Sequence, residues 1–162
     1  MYAIVAVSKN WGIGKDNALL FSIPEDMRYF REKTSGKTII MGRNTLESFP
    51  NGAPLKNRRN IIISTNESYT VEGAEVVHSP VQALELLSEL KEDDVYVVGG
   101  SEVYRAMLPF CEKAFVTKVI RRAEADRFFP DLDSLPDWRL SEVGEEKEFE
   151  GLKYRFCVYE RI

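Results

Sequence analysis

Short apolar runs rich in β-branched residues recur along this chain, each four to six residues long and each set off from the next by a stretch of helix or loop length. Tyr2 to Val7, Thr38 to Met41, Asn60 to Ser64, Val95 to Val98 and Phe115 to Ile120 are such runs. Branched and aromatic side chains pack well on a pleated surface, so each run is predicted to be a strand. Most lack strict polar alternation, the pattern of strands buried on both faces. Strands of that kind sit in parallel sheets, whose neighbours need crossover connections, so the spacing narrows the chain to an α/β sheet. No repeat, low-complexity tract or long linker interrupts it. With 162 residues and 44% hydrophobic content, a single domain over residues 1–162 is expected.

The segments between the runs carry helix signals. Ser22-Ile-Pro-Glu25 has the form of a capping box, with Pro24 tolerated in the first turn, and predicts a helix to about Ser35-Gly36 with Asp26 in its first turn. Ser79-Pro80 predicts a second helix start, with Val81, Leu84, Leu87 and Leu90 as its apolar stripe. A third helix begins at Gly99-Gly100. Leu152 to Arg161 alternates as a long antiparallel strand after an acidic turn over Glu145 to Gly151.

Several function classes fall away. Lys plus Arg total 22 against 26 Asp plus Glu, a net charge of -4, and no basic block tracks a phosphate backbone, so no nucleic-acid partner is expected. Met1 to Val7 lacks the basic leader and cleavage site of a signal peptide and reads as a strand, so a cytoplasmic protein with no membrane association is expected. His78 is the only histidine, which removes two-histidine metal motifs and triad hydrolysis; no metal is expected. Cys111 and Cys157 lie far apart in apolar surroundings and are expected to be buried free thiols.

Four constellations remain. Strand Ile39 to Met41 runs into Gly42-Arg43-Asn44-Thr45, where a glycine permits close approach and backbone N–H groups can meet an anion. Gly99-Gly100-Ser101 enters a helix like a shortened dinucleotide loop without its third glycine. In one parallel sheet, both turns would lie at the carboxyl ends of strands, where open α/β sheets bind ligands. Asp26 shares a helix face with Met27 and Phe30. It is either a surface acid favoured by the helix dipole or a carboxylate in an apolar cleft that accepts paired hydrogen bonds from a flat amidine-like ligand. Arg58, in Lys56-Asn-Arg-Arg-Asn60, is either a solvated loop cation or a clamp for a carboxylate.

These signals occur in a familiar order. Ala3 to Val7, Gly12 to Ala18, Ile23 to Met27 with Phe30, Ile40 to Ser48, Arg59 to Ser64, Val97 to Gly100 with Val103-Tyr104, and Asp126 to Pro130 resemble the matching stretches of dihydrofolate reductases, and the last strand also fits. The resemblance implies an α/β domain: one twisted, mainly parallel eight-stranded sheet with a C-terminal antiparallel strand, flanked by four helices, and residues 8 to 23 as a mobile loop over a nicotinamide. It implies NADPH as cofactor, dihydrofolate as substrate and antifolate inhibitors as further ligands; with no exposed-looking apolar repeat in the sequence, a monomer is expected. Asp26 would bind the pterin N3 and 2-amino group, linked to Thr117, with Leu20 and Phe21 beside it among the catalytic positions. Ile4, Val5, Met27, Phe30, Phe49 and Leu55 would line the substrate, and Arg58 would hold the α-carboxylate of its glutamate tail.

On the cofactor side, the resemblance puts Ala6, Ile13, Gly14, Asn17, Ala18 and Leu19 near the nicotinamide. Val98, Gly99, Gly100, Ser101, Glu102 and Val103 would follow the pyrophosphate, with Tyr104 between the two ligands. Gly42, Arg43, Asn44, Thr45, Ser64, Thr65 and His78 would surround the adenosine phosphates. The chain departs from the family pattern in three places. Leu20-Phe21 stands for Pro-Trp, Ala125 and Arg127 flank Asp126 in place of Gly and Thr, and Glu102 occupies a position that is basic in some relatives. Two other readings stand beside this one: a reductase of the same fold for another pyrimidine-like substrate, which Asp26, Phe30 and Arg58 together disfavour, and a non-catalytic nucleotide-binding protein.

Overall fold

In the computed structural model, which describes residues 1–162, the chain order is β1 (Tyr2–Val7), β2 (Gly12–Lys15), β3 (Ala18–Leu19), α1 (Pro24–Thr34), β4 (Thr38–Gly42), α2 (Arg43–Glu47), β5 (Arg59–Ile63), β6 (Glu75–Val77), α3 (Pro80–Leu87), β7 (Val95–Gly99), α4 (Ser101–Met107), β8 (Lys113–Val119), β9 (Arg127–Phe128), β10 (Trp138–Val143), β11 (Lys147–Phe149) and β12 (Leu152–Arg161). Eight strands form the main sheet in the order β10-β12-β8-β1-β7-β4-β5-β6, with β11 added beside β12. Within the eight, β12 alone runs against its neighbours. A separate small sheet has the order β3-β2-β9. The expected mainly parallel α/β architecture, its antiparallel last strand and its four helices are all present.

Alternation along the strands divides the interior into two layers. Ala3, Val5, Val7, Ile40, Ile61 and Val97 face one way and pack with Leu87, Tyr104 and Met107 from α3 and α4. Ile4, Ile39, Met41, Ile62 and Tyr96 face the other way and pack with Leu46 of α2 and with Tyr29 and Phe30 of α1. Most of these side chains lie in central strands and are covered on both faces, which is why the sequence shows unbroken apolar runs there.

Two local expectations are corrected. The capping box does not form: Ile23 is the N-cap of α1, with no side-chain cap hydrogen bond, and the Ser22 hydroxyl lies against the Met27 sulfur at 4.0 Å. A residue before proline is pushed to extended backbone. Ile23 adopts φ -115°, ψ 114° and is buried, so the boundary falls one residue later, with Pro24 at the first helical position. The apolar stripe of α3 is also different. Ala83 and Leu87 are buried, whereas Val81 is 62% exposed and Leu90 lies beyond the helix. Steps of three drift around a helix of 3.6 residues per turn, while a step of four keeps its face. The Ser79 cap itself is present, accepting from the Gln82 N–H at 3.1 Å.

Candidate active site

Asp26 occupies the third position of α1, on a side of the helix that meets β8. Its Oδ1 accepts a hydrogen bond from the Thr117 hydroxyl at 2.6 Å. Thr117 is buried in β8, registered between Ala6 of β1 and Phe156 of β12, so the sheet fixes the donor and the helix fixes the acceptor. Burial raises the Asp26 pKa above the usual carboxylate range, and the Thr117 hydrogen bond opposes it as the lesser effect. No basic side chain is paired with it. The ion pair at the start of α1 is made by Glu25 instead, with Lys147 at 3.0 Å. Asp26 is therefore not a freely solvated surface acid: it is a partly buried carboxylate, tied to Thr117 and without a counter-ion.

Ile4, Phe30, Phe49 and Leu55 share one packed cluster on that face of the sheet. Val5 does not join them. Its side chain packs in the opposite layer, because successive residues of a strand face opposite ways. Met27 is 60% exposed at the surface of α1. Beyond Leu55, the loop is tied down by buried Asn60, whose amide donates to the carbonyls of Leu55 at 2.9 Å and Arg58 at 3.0 Å, while its Oδ1 accepts from the Leu55 N–H. Arg58 thereby sits with its Nε buried and unpartnered. Burial, and then the neighbouring Arg31 guanidinium, holds its pKa below the ordinary arginine value. A cation that is both desolvated and facing a like charge gains from taking up an anion.

The two glycine turns converge, since β4 and β7 are neighbours in the sheet. A Cβ at Gly42 would come within 3.3 Å of Val103, and one at Gly99, where φ is +135°, within 3.1 Å of the Thr45 hydroxyl. The two glycines therefore let the turns pack closely against the Val103 and Thr45 side chains. Ser101 and Val103 are buried beside them, Glu102 is exposed, and the Tyr104 hydroxyl donates to the Ile4 carbonyl at 2.7 Å, joining this edge to the Asp26 cleft. A shallow depression of ≈ 400 Å³ beside the turn is lined by Ser101, Glu102, Arg105, Asp126 and Arg127. Asn44 and Thr65 are exposed, and Ser64 is buried, with its carbonyl 2.8 Å from His78 Nδ1. Arg43 lies over the Tyr69 ring at 4.5 Å and donates from Nε to Glu47 at 2.9 Å.

Residues 8 to 23 follow β1 and include the β2-β3 hairpin, with Ile13 buried, Gly14 half-buried, and Asn17, Ala18 and Leu19 exposed. Asp126 braces the hairpin: its N–H donates to the Gly14 carbonyl and its Oδ2 accepts from the Asp16 N–H, both at 3.0 Å. Ala125 and Arg127 therefore leave that support intact. Lys15 pairs with Glu124 at 2.9 Å. Phe21 packs with Ile23, Val119 and Tyr154. Sequence reasoning missed Arg31, Asn60, Glu47 and Tyr69. Only Asn60 left a signal, as a polar residue at the head of an apolar strand, where burial demands partners.

The whole arrangement has known counterparts. The sequence profile of the dihydrofolate reductase family matches residues 1–161. Dihydrofolate reductase of Bacillus subtilis is 38% identical over 160 residues, covering 98% of this chain and 92% of its own. That of Rattus norvegicus is 38% identical over 181 residues, covering 98% and 95%. In shape, the chain is similar to the dihydrofolate reductase from Enterococcus faecalis complexed with NADP(H) and RAB-propyl, with TM-score 0.87, 31% identity, and coverage of 99% of this chain and 95% of that one.

Proposed function

The chain belongs to the dihydrofolate reductase family, and from that premise we propose how its own residues carry the reaction. The enzyme reduces 7,8-dihydrofolate to 5,6,7,8-tetrahydrofolate with NADPH, supplying one-carbon metabolism. The observation that carries the residue assignment is the Asp26–Thr117 pair at 2.6 Å, a half-buried carboxylate with no cation of its own, on the face of the sheet where Ile4, Phe30, Phe49 and Leu55 cluster.

Asp26 takes the pterin through N3 and the 2-amino group. Two N–H groups on one flat edge match the two oxygens of a carboxylate, and Thr117 fixes the orientation. Arg58 takes the α-carboxylate of the glutamate tail. With the ring anchored at one end and the tail at the other, C6 is held at a fixed place along the cleft, and fixed placement makes the reaction effectively unimolecular. NADPH, when bound, would supply the hydride for C6. The bare turns at Gly42 and Gly99 fit a dinucleotide backbone, Ile13, Gly14 and Ala18 lie on the nicotinamide side, and Ser64, His78 and Arg43 lie toward the adenosine phosphates. Since Asp26 is engaged at N3, it faces away from N5. A water delivers that proton, favoured by the nearby negative charge.

The reading includes one domain and a monomer in the cytoplasm, a compartment suited to its two buried free thiols. The test mixes the protein with NADPH and dihydrofolate and follows NADPH absorbance. Loss of absorbance that needs both the substrate and Asp26 supports the assignment, and loss that persists in Asp26→Asn at the parent rate refutes it.

A further inference from the structure

We propose that Glu47 and Tyr69 are positioning residues that hold Arg43 as a preformed clamp for the phosphate that NADPH carries and NADH lacks; this rests on the reading above, which puts the adenosine phosphates at this edge. Arg43 opens α2, and Glu47 lies one turn later on the same side. The Arg43 Nε–H donates to Glu47 Oε1 at 2.9 Å, and the guanidinium carbon stands 4.5 Å from the Tyr69 ring centroid. One contact fixes an edge of the planar group and the other fixes its face. The outer edge, with Nη1 and Nη2, makes no hydrogen bond to the protein, and that edge matches a phosphate in paired fashion.

Tyr69 is itself anchored. It is half-buried, packs against the cluster containing Met41 and Leu46, and is set by a turn in which its N–H donates to the Asn66 carbonyl at 3.0 Å. The Asn66 N–H in turn donates to the Ser64 hydroxyl at 3.2 Å. The ring over Arg43 is therefore tied through two hydrogen bonds to the strand end at Ser64. A loose surface arginine loses rotamer freedom when it grips an anion, and one already held loses less, which strengthens binding. The Glu47 contact alone would be an ordinary i, i+4 pair on a helix. The second constraint, from a different segment, is what turns it into a mount.

The test titrates the full-length protein with NADPH and with NADH by cofactor fluorescence. Tyr69→Leu should weaken NADPH by about two- to fivefold, the span of an exposed cation–π contact, and leave NADH unchanged. Tyr69→Phe, which keeps the ring, should bind as the parent does. Glu47→Ala should weaken NADPH, whereas Glu47→Gln, which keeps an acceptor for Nε, should not. Equal losses for both cofactors in Tyr69→Leu, or none, would overturn the proposal. Arg43→Ala run in parallel separates the causes. If it discriminates the cofactors while Tyr69→Leu does not, positioning alone is refuted; if Arg43→Ala also fails to discriminate, the location of the phosphate falls with it.

Discussion

On the Asp26 side of this molecule, an ionisable group is partly buried where α1 meets the sheet, beside the apolar cluster of Ile4, Phe30 and Phe49, and its protonation is shifted by that burial. On the Gly99 side, two glycine turns pack against Val103 and Thr45, the proposed cofactor surface is largely backbone, and its charges, such as Arg43, stay in solvent. The first arrangement concentrates electrostatic effect in one atom pair, because little water is present to weaken it. The second spreads recognition over many small contacts. Single substitutions should therefore hit the first side harder and with a marked pH dependence, and the second side mildly and with little.

The sharpest way to break that contrast is Asp26→Asn. Hydrogen bonds to a charged group are worth roughly 1.5–3 kcal/mol, so turnover at neutral pH should fall about tenfold or more, and less in acid, where the substrate arrives already protonated. Stability should move the other way. Because burial raises the Asp26 pKa, the folded chain holds that proton more tightly than the unfolded chain. The contribution is present below the ordinary carboxylate range and is lost as pH rises through the folded value. Thermal melts should show the Asp26→Asn protein more stable than the parent above that window and equal to it below. A mutant that melts lower at neutral pH would contradict the burial argument.

Next in size, Arg58→Leu should raise the KM for dihydrofolate by about tenfold and spare a pterin without the glutamate tail. Equal losses for both substrates would place Arg58 elsewhere. Thr117→Val removes the hydrogen bond that lowers the Asp26 pKa, so the kinetic pKa should climb, with turnover at neutral pH reduced about threefold, in keeping with a loss of ~0.5–1.5 kcal/mol. A pH–rate profile superimposable on the parent's would detach Thr117 from the acid. Smallest is the double change Phe21→Trp with Leu20→Pro. An indole N–H can hold a water that phenylalanine cannot, so the kinetic pKa should drop slightly and diaminopyrimidines should bind tighter, by about twofold on the scale of one water-mediated contact. Unchanged inhibitor affinity would reduce Phe21 to its packing against Ile23 and Val119.

The same contrast governs what could be read from the residues beforehand. The parallel strands were legible because burial on both faces leaves an unbroken apolar run, and Asp26 was legible as a first-turn residue because Pro24 marks the helix start. The opposite placement of Ile4 and Val5 also lies in the strand period, once it is applied residue by residue. The short strands β2, β3 and β9 left no such trace: Gly12-Ile-Gly-Lys15 pairs locally with Ala18-Leu19 but also with residues more than a hundred positions away, and Asp126 holds the hairpin with its own N–H and its carboxylate. Tyr69 over Arg43 and Arg31 beside Arg58 are tertiary encounters between polar segments, which carry no periodicity. Thr117 entered only through resemblance, since a threonine in a strand is ordinary until the sheet sets it under a carboxylate.

The lone opposed strand has a bearing on manufacture. β12 lies between β8 and β10, yet it follows both of them in the chain. Until Phe156 emerges, the β8 backbone beside Thr117 has no partner on that side, and an unpaired strand edge invites pairing with a neighbouring nascent chain. The floor beneath Asp26 is thus completed only once β12 is made, and rapid overproduction exposes the polypeptide to aggregation at the stage when the Thr117 strand that holds the Asp26 carboxylate is still unpaired on one side.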